Sequence, residues 1–231
     1  GKQLLAVAAP RIGEGLVATL AMFPFNSLLL TFGTEVNAAY QIGRRMYQQI
    51  TAPLVRAYNT ATSVVVGQSV GEGDIETARF QGWATTALAV GTVGTLALAL
   101  FAGAGAFVAV FTSDALTAGY AVDFARAYAV AAPFIGAYLV IAGALQGGSD
   151  TRTPFFARTT GLFGFLLGFS YLTSVVLGWG VVGIYVGIAL QHAWALAVVV
   201  WGFARGDWAA TATAMMDARD SVDDAGPDAT D

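Results

Sequence analysis

Six long apolar stretches dominate the chain, at residues 10–32, 36–70, 82–111, 119–146, 154–178 and 181–204. A helix needs about 20 predominantly apolar residues to cross a hydrocarbon core of about 30 Å, and each stretch meets that length. None alternates polar and apolar residues with period two, as the strands of a membrane barrel do. Helices that span a bilayer are the solution left, because they satisfy every backbone N–H and C=O within the segment. Composition agrees. Only 11% of the 231 residues are charged and 56% are hydrophobic, whereas a water-soluble domain carries about 25% charged residues to wet its surface.

The connections are short and their charge is one-sided. Gly33-Thr34-Glu35, residues 112–119 and Gly178-Trp179-Gly180 carry no Lys or Arg. Lys2, Arg11, Arg79, Arg152, Arg158, Arg205 and Arg219 all fall in the other set, made of both chain ends and the loops near 71–81 and 147–158. Basic residues in short loops stay cytoplasmic. Both ends are therefore expected inside, in a multi-pass protein of the plasma membrane. Residues 1–208 form one transmembrane unit on this reading. Residues 209–231 form an acidic, aromatic-free tail that is expected to be disordered and cytoplasmic. The chain opens Gly1-Lys2-Gln3 with no methionine and no signal-peptide layout, and is read as a piece of something longer or a processed product.

The two Gly-rich cytoplasmic turns share a plan. In VGQSVGEGDIETAR, Gly71 and Gly73 stop a helix and Asp74 can cap the next. In GALQGGSDTRTP, Gly147 or Gly148 is expected to take the left-handed conformation, Thr153 to cap the next helix, and Pro154 to sit in its first turn. Arg152 and Arg158 are expected to anchor that turn. Gly71 and Asp74 recur as Gly147 and Asp150, which hints at a three-plus-three duplication.

The second stretch is unlike the others. Gln41, Arg45, Gln48, Arg56, Asn59 and Ser63 fall within an arc of roughly 80° on a helix, a polar stripe about 33 Å long. A charged side chain at the bilayer centre costs about 2.5–3.5 kcal/mol even on the mildest scale. The stripe is thus expected to face the bundle interior, a partner or a water-filled cavity, the last of which would be the substrate cavity. Arg44 and Arg45 are also short of the outer end, where they could snorkel to the interface. Arg56 is too deep for that, and Pro53 predicts a kink near the midplane. Glu14 reads either as a proton or cation site or as an interfacial carboxylate paired with Arg11. Asp123 and Arg126 share a helix face and read as a pair, and His192 reads as a hydrogen-bonded packing residue. The sequence contains no HExxH, GxSxG, Walker loop or cysteine, so neither catalysis, a resident cofactor nor a nucleic-acid partner is expected.

In order along the chain stand AAYQI, VGQSVGEGDIETAR, GALQGGSDTRTP and GWGVVGIYVGIAL followed by FARGDW. Together, in register with six spans, these resemble the C-terminal half of the multidrug and toxic compound extrusion (MATE) transporters. There the corresponding patterns are AAxQI, VGQxxGxGxxxxAR and GAxxGxGDTRxP. The resemblance covers about residues 4–208. It implies an all-α membrane protein whose six transmembrane helices form one lobe of a twelve-helix transporter, the partner being a six-helix N-terminal lobe. It implies an antiporter that exports small organic molecules against H⁺ or Na⁺, with Glu14 as the cation-coupling residue and no cofactor beyond that ion. The chain departs from the family in two places. APFIGAYLVIAG carries no acid where some relatives have an aspartate, and Arg44 and Arg45 stand where apolar or small residues are usual. An arginine-lined cavity suits anionic or zwitterionic substrates. It also fits a lipid-linked oligosaccharide flippase of the same superfamily, while a non-transporting membrane scaffold would have no use for it.

Overall fold

The computed structural model describes residues 19–206 and 208–210, and every regular element among them is helical. In chain order these are α1 (Thr19–Leu30), α2 (Thr34–Ile50), α3 (Ala52–Gly71), α4 (Ile75–Phe111), α5 (Ala115–Gly147), α6 (Arg152–Val176) and α7 (Val181–Arg205). The helices α4 to α7 are each long and apolar enough to cross a membrane. On the outer face of α4, Phe80, Leu98 and Val110 are 71%, 73% and 80% exposed. A continuous apolar surface of that kind needs lipid or a partner to cover it.

The hub is α5. Of its most apolar window 78% is buried, against 28% to 33% in α4, α6 and α7, and it packs on α2, α3, α4 and α7. Its sequence explains this. Ala121, Ala125, Ala129, Ala132, Gly136, Ala144 and Gly147 keep the helix thin, so four neighbours can reach its backbone. The approach is closest to α3. A Cβ on Gly143 would lie 2.6 Å from the Asn59 carbonyl oxygen, and one on Gly147 would lie 2.6 Å from that of Ser63.

The predicted span 36–70 is an elbow. Residues α2 and α3 meet at Thr51, and Pro53 in the first turn of α3 has no N–H to give the Gln49 carbonyl. The break between the two helices therefore falls within two residues of the proline. The flanking bonds Thr51 N–H to Tyr47 O (2.9 Å) and Val55 N–H to Thr51 O (3.1 Å) persist, so the rods stay joined. The expected span 154–178 is also irregular: α6 is π-helical over Gly161–Phe169 and again over Leu172–Val176. Such segments are rare and concentrate at functional sites.

The two Gly-rich turns match bond for bond. Gly73 N–H reaches Val70 O (3.0 Å) and Asp74 N–H reaches Ser69 O (2.9 Å); Ser149 N–H reaches Gln146 O (3.1 Å) and Asp150 N–H reaches Leu145 O (2.8 Å). This is the same helix-ending motif twice. The left-handed residue in the second copy is Ser149 (φ 68°), not Gly147 or Gly148 as expected, and its equivalent is Gly73 (φ 79°). Nor is Thr153 the cap. Asp150 takes that role, accepting from the backbone of Arg152 (3.0 Å) and Thr153 (3.1 Å) and from the Thr153 hydroxyl (2.6 Å). A carboxylate one turn earlier reaches more donors than the threonine hydroxyl could. Ser149→Gly is expected to stabilise the protein by about 0.5 kcal/mol, because only glycine occupies that conformation without strain. A melting temperature no higher than that of the unmodified protein would contradict it.

Asp74 and Asp114 cap α4 and α5 by accepting from the backbone N–H of Thr77 (2.9 Å) and Thr117 (2.8 Å). Those threonines hold both carboxyls below the usual carboxylate range. The stabilisation is therefore present above the unfolded carboxylate range and is lost as pH falls through the lowered values.

The ends of the bundle differ in character. At one, Trp208 stacks face to face on Phe203 (5.2 Å, 4°), donates to its carbonyl (3.1 Å) and lies against Gly148. Thr153 abuts Gly202, and Arg79 abuts Gly206. The basic loops and the C-terminal end of α7 are thus gathered together. At the other, Phe25, Tyr40, Phe124 and Tyr185 form an edge-to-face chain.

Candidate functional site

A cavity of about 240 Å³ lies at the elbow, walled by α2, α3, α5, α6 and α7. Its polar lining is Tyr47 and Gln48 from α2, Arg56 from α3, Tyr138 from α5, Arg158 from α6, and Gln191 and His192 from α7. At 1.5 Å per residue, Arg56 stands about 22 Å from the Gly71 end of α3 and His192 about 20 Å from the Arg205 end of α7. The cavity is therefore well inside a core of about 30 Å.

Each wall is held by its own contacts. Tyr47 stacks on Tyr128 of α5 (5.7 Å, 20°), which turns the last turn of α2 toward the cavity. Asn59 pins α3 to α5 by donating from Nδ2 to the Leu139 carbonyl (2.5 Å), one turn below Arg56. The Tyr138 hydroxyl donates to the Pro154 carbonyl (3.4 Å), tying α5 to α6. Gly161 opens the π-helical stretch and lets α6 lie against the Gln191 carbonyl, where a Cβ would come to 2.9 Å. Trp194 closes that seam by donating to the Thr160 hydroxyl (2.8 Å).

His192 lies 2.8 Å through Nδ1 from the Ile188 carbonyl. A ring nitrogen on a carbonyl must carry the proton, so the neutral ring presents Nε2 as an acceptor. Gln191 Nε2 lies 3.1 Å from it, which leaves Gln191 Oε1 buried with no partner. The residue is hydrogen-bonded, as its sequence context suggested, and it also faces the cavity.

The polar stripe does not remain on one wall. Gln48 and Arg56 line the cavity. Asn59 is spent on the α5 backbone, and the Ser63 carbonyl lies under Gly147. Gln41 is half-buried and Arg45 exposed, neither of them in the lining. Arg158, expected at the turn, instead sits about 9 Å into α6 and reaches the cavity. Its depth beyond Pro154 was the signal available in the sequence. Asp123 and Arg126 share an exposed groove with Phe101 and Tyr185, where Arg126 lies 5.4 Å from the Phe101 ring centre. Glu14 and Arg11 lie outside the described residues.

None of the described residues lining the cavity is acidic, and two are arginines. Such a site offers donors and positive charge to a ligand, with tyrosine rings beside them.

The chain belongs to the MatE family, whose pattern it matches over residues 10–172. It is similar to the "Probable multidrug resistance protein NorM" of Xanthomonas axonopodis pv. citri (strain 306), 32% identical over 190 residues that cover 81% of this chain and 41% of that relative. The protein of the same name from Xylella fastidiosa (strain 9a5c) is 27% identical over 203 residues, covering 87% and 43%. The chain thus spans less than half the length of these curated relatives. Among solved structures, the MATE transporter ClbM in complex with Rb⁺ superposes with a TM-score of 0.83 at 23% identity, over 91% of this chain and 50% of that one. A MOP superfamily transporter from Pyrococcus furiosus Vc1 (DSM3638), described as having a binding pocket of reverse polarity, gives 0.78 at 21% identity over 87% and 44%. These two likenesses establish the fold, a lobe of MATE architecture; the family match and the four membrane-length helices make it part of an integral membrane protein.

Proposed function

We propose that the chain is the C-terminal lobe of an ion-coupled exporter of small organic molecules, working against H⁺ or Na⁺ with a second lobe. The observation that carries this is the polar cavity at mid-depth, built by five helices and hydrogen-bonded to hold its shape. The multidrug resistance relatives support it. Glu14, within the matched region, is the proposed coupling carboxylate.

Alternating access requires two repeats or lobes that rock about a site between them. Full-length protein in liposomes is expected to move a fluorescent dye when a Na⁺ or H⁺ gradient is imposed, and to stop when an ionophore collapses it. Residues 1–231 alone are expected to move none. Dye movement that ignores both gradients would remove the antiporter reading. The arginines keep one other reading in view, a flippase for lipid-linked oligosaccharide, which would scramble labelled glycolipid in the same liposomes.

The orientation we propose has both termini and the 147–158 turn in the cytoplasm. The chain contains no cysteine, so single cysteines report cleanly. Ser149→Cys is expected to resist an impermeant thiol reagent in intact cells, and Ser113→Cys to label within minutes. The opposite pattern would invert the topology.

A further inference from the structure

We propose that the open groove between α6 and α7 is a binding site for an anionic phospholipid, with the phosphate on Arg152 and Arg205 and an acyl chain laid along Trp194. This goes beyond the exporter reading and does not depend on it, since it needs only helices that cross the membrane.

The groove has the depth of one leaflet. It encloses about 500 Å³ and is lined by Arg152, Phe156, Trp194, Ala197, Val198 and Trp201, with Thr153 at its base. At 1.5 Å per residue, Trp201 stands about 6 Å and Trp194 about 16 Å from the Arg205 end of α7. Half of a hydrocarbon core of about 30 Å is about 15 Å. The groove therefore runs from the polar boundary to the midplane, the stretch that one acyl chain covers. Its hollow follows from the sequence. Trp194, Ala197 and Trp201 are spaced three and four apart and share a face of α7, so the single methyl of Ala197 leaves a gap between two indoles. Trp194 donates its N–H to the Thr160 hydroxyl (2.8 Å), which leaves its ring as an apolar wall.

The charge sits at one end only. Arg152 opens α6, Arg205 closes α7, and both are exposed. Arg205 is held in place, its guanidinium carbon 4.0 Å from the centre of the Trp201 ring. A planar guanidinium stacked on a ring keeps the N–H groups at its rim for a phosphate. Asp150, the acid of this turn, is engaged in capping α6 through the backbone of Arg152 and Thr153 and the Thr153 hydroxyl. The Thr153 methyl meets Gly202, which seats α6 on α7 at this level. A groove that is apolar along its length and cationic at its interfacial end complements an amphiphile with an anionic head, and basic pockets between transmembrane helices hold such headgroups. A zwitterionic lipid covers the tryptophans but gains less from the arginines. A free anion gains the arginines and leaves the tryptophans bare.

The test maps lipid on full-length protein in nanodiscs that contain phosphatidylglycerol with a diazirine in its acyl chain, or the matching phosphatidylcholine. Cross-linked peptides are quantified by mass spectrometry, and the exposed face of α4 at Phe80, Leu98 and Val110 is the reference for unselective lipid contact. The ratio of groove to α4 adducts is expected to be at least about tenfold higher for phosphatidylglycerol, each interfacial arginine contributing about fivefold. Arg152→Gln and Arg205→Gln are each expected to lower that ratio about fivefold and to leave phosphatidylcholine unchanged. Arg152→Lys and Arg205→Lys, which keep the charge, should retain most of it, which separates lost charge from lost fold. Ala197→Trp fills the hollow and should remove the groove adducts of both lipids. Excess glycerol phosphate should displace neither. Equal ratios for the two lipids, Gln variants that label like the unmodified protein, or displacement by glycerol phosphate would each overturn the inference. So would a groove that takes up neither lipid, the result if the second lobe or another protein covers it. No gradient is imposed in this assay, so failure of gradient-driven efflux would sink the exporter reading and leave the lipid site standing.

Discussion

A Gly143→Val substitution is expected to remove most folded protein from the membrane, at a cost of about 3 kcal/mol, the upper part of the range for overpacking. The reason is the partner. A Cβ at 143 would sit 2.6 Å from the Asn59 carbonyl oxygen and 2.8 Å from Asn59 Nδ2. The first of these is backbone and has no rotamer to escape into. Relief demands that α3 move off α5, which also breaks the 2.5 Å bond from Asn59 to the Leu139 carbonyl. Gly91 and Gly94 on α4 supply the control, since a Cβ at either meets nothing within 4 Å. Size-exclusion profiles and melting temperatures of detergent-solubilised full-length protein decide the matter. Gly91→Val should behave nearly like the unmodified protein, while Gly143→Val should aggregate or melt far lower. If both variants survive alike, the close α3–α5 crossing is not a structural requirement.

Glu14→Gln is expected to abolish gradient-driven efflux, to the level of vesicles without protein, while binding of substrate and membrane abundance persist. A coupling carboxylate must gain and release a proton or cation as access alternates, and an amide can do neither. The competing account pairs Glu14 with Arg11 at the interface. An exposed pair of that kind contributes about 0–1 kcal/mol, so its loss would leave efflux almost intact. The two accounts separate in one assay, dye efflux by the full-length protein at matched abundance. Efflux by Glu14→Gln equal to that of the unmodified protein would end the coupling role.

The helical class and the segregation of basic loops were legible in the sequence because they rest on long-range composition. Length, apolarity and the one-sided arginines survive any detail of packing. The elbow was legible as well, since Pro53 removes a particular hydrogen bond wherever its helix lies. The cavity was only half legible. Gln48 and Arg56 could be found because they lie on the same helical arc, but Asn59 and Ser63 of that arc are taken up against α5. Arg158, Gln191 and Tyr138 reach the site from three other helices, and no spacing within one helix reveals that convergence. Ser149 escaped notice for a simpler reason. Two glycines stood beside it, and glycine is the usual occupant of a left-handed turn, yet the capping bonds of Asp150 set which residue takes that position.

Pro53 gives the Gln49 carbonyl no N–H one turn on, which makes α2 and α3 two levers on a common pivot at Thr51. The lower lever is clamped at Gly143 and Gly147 and cannot turn without moving the hub. The upper one is seated nearly as closely, since a Cβ at Gly43 would lie 2.7 Å from the Phe124 Cβ and 3.0 Å from the Ala125 backbone nitrogen, and Tyr47 stacks on Tyr128. Because Gln48 rides on the upper lever and Arg56 on the lower, the angle at the pivot sets the width of the cavity between them. A ligand that touches both holds the pivot at one angle, and by that differential contact alone it weights the population of the whole lobe toward that shape.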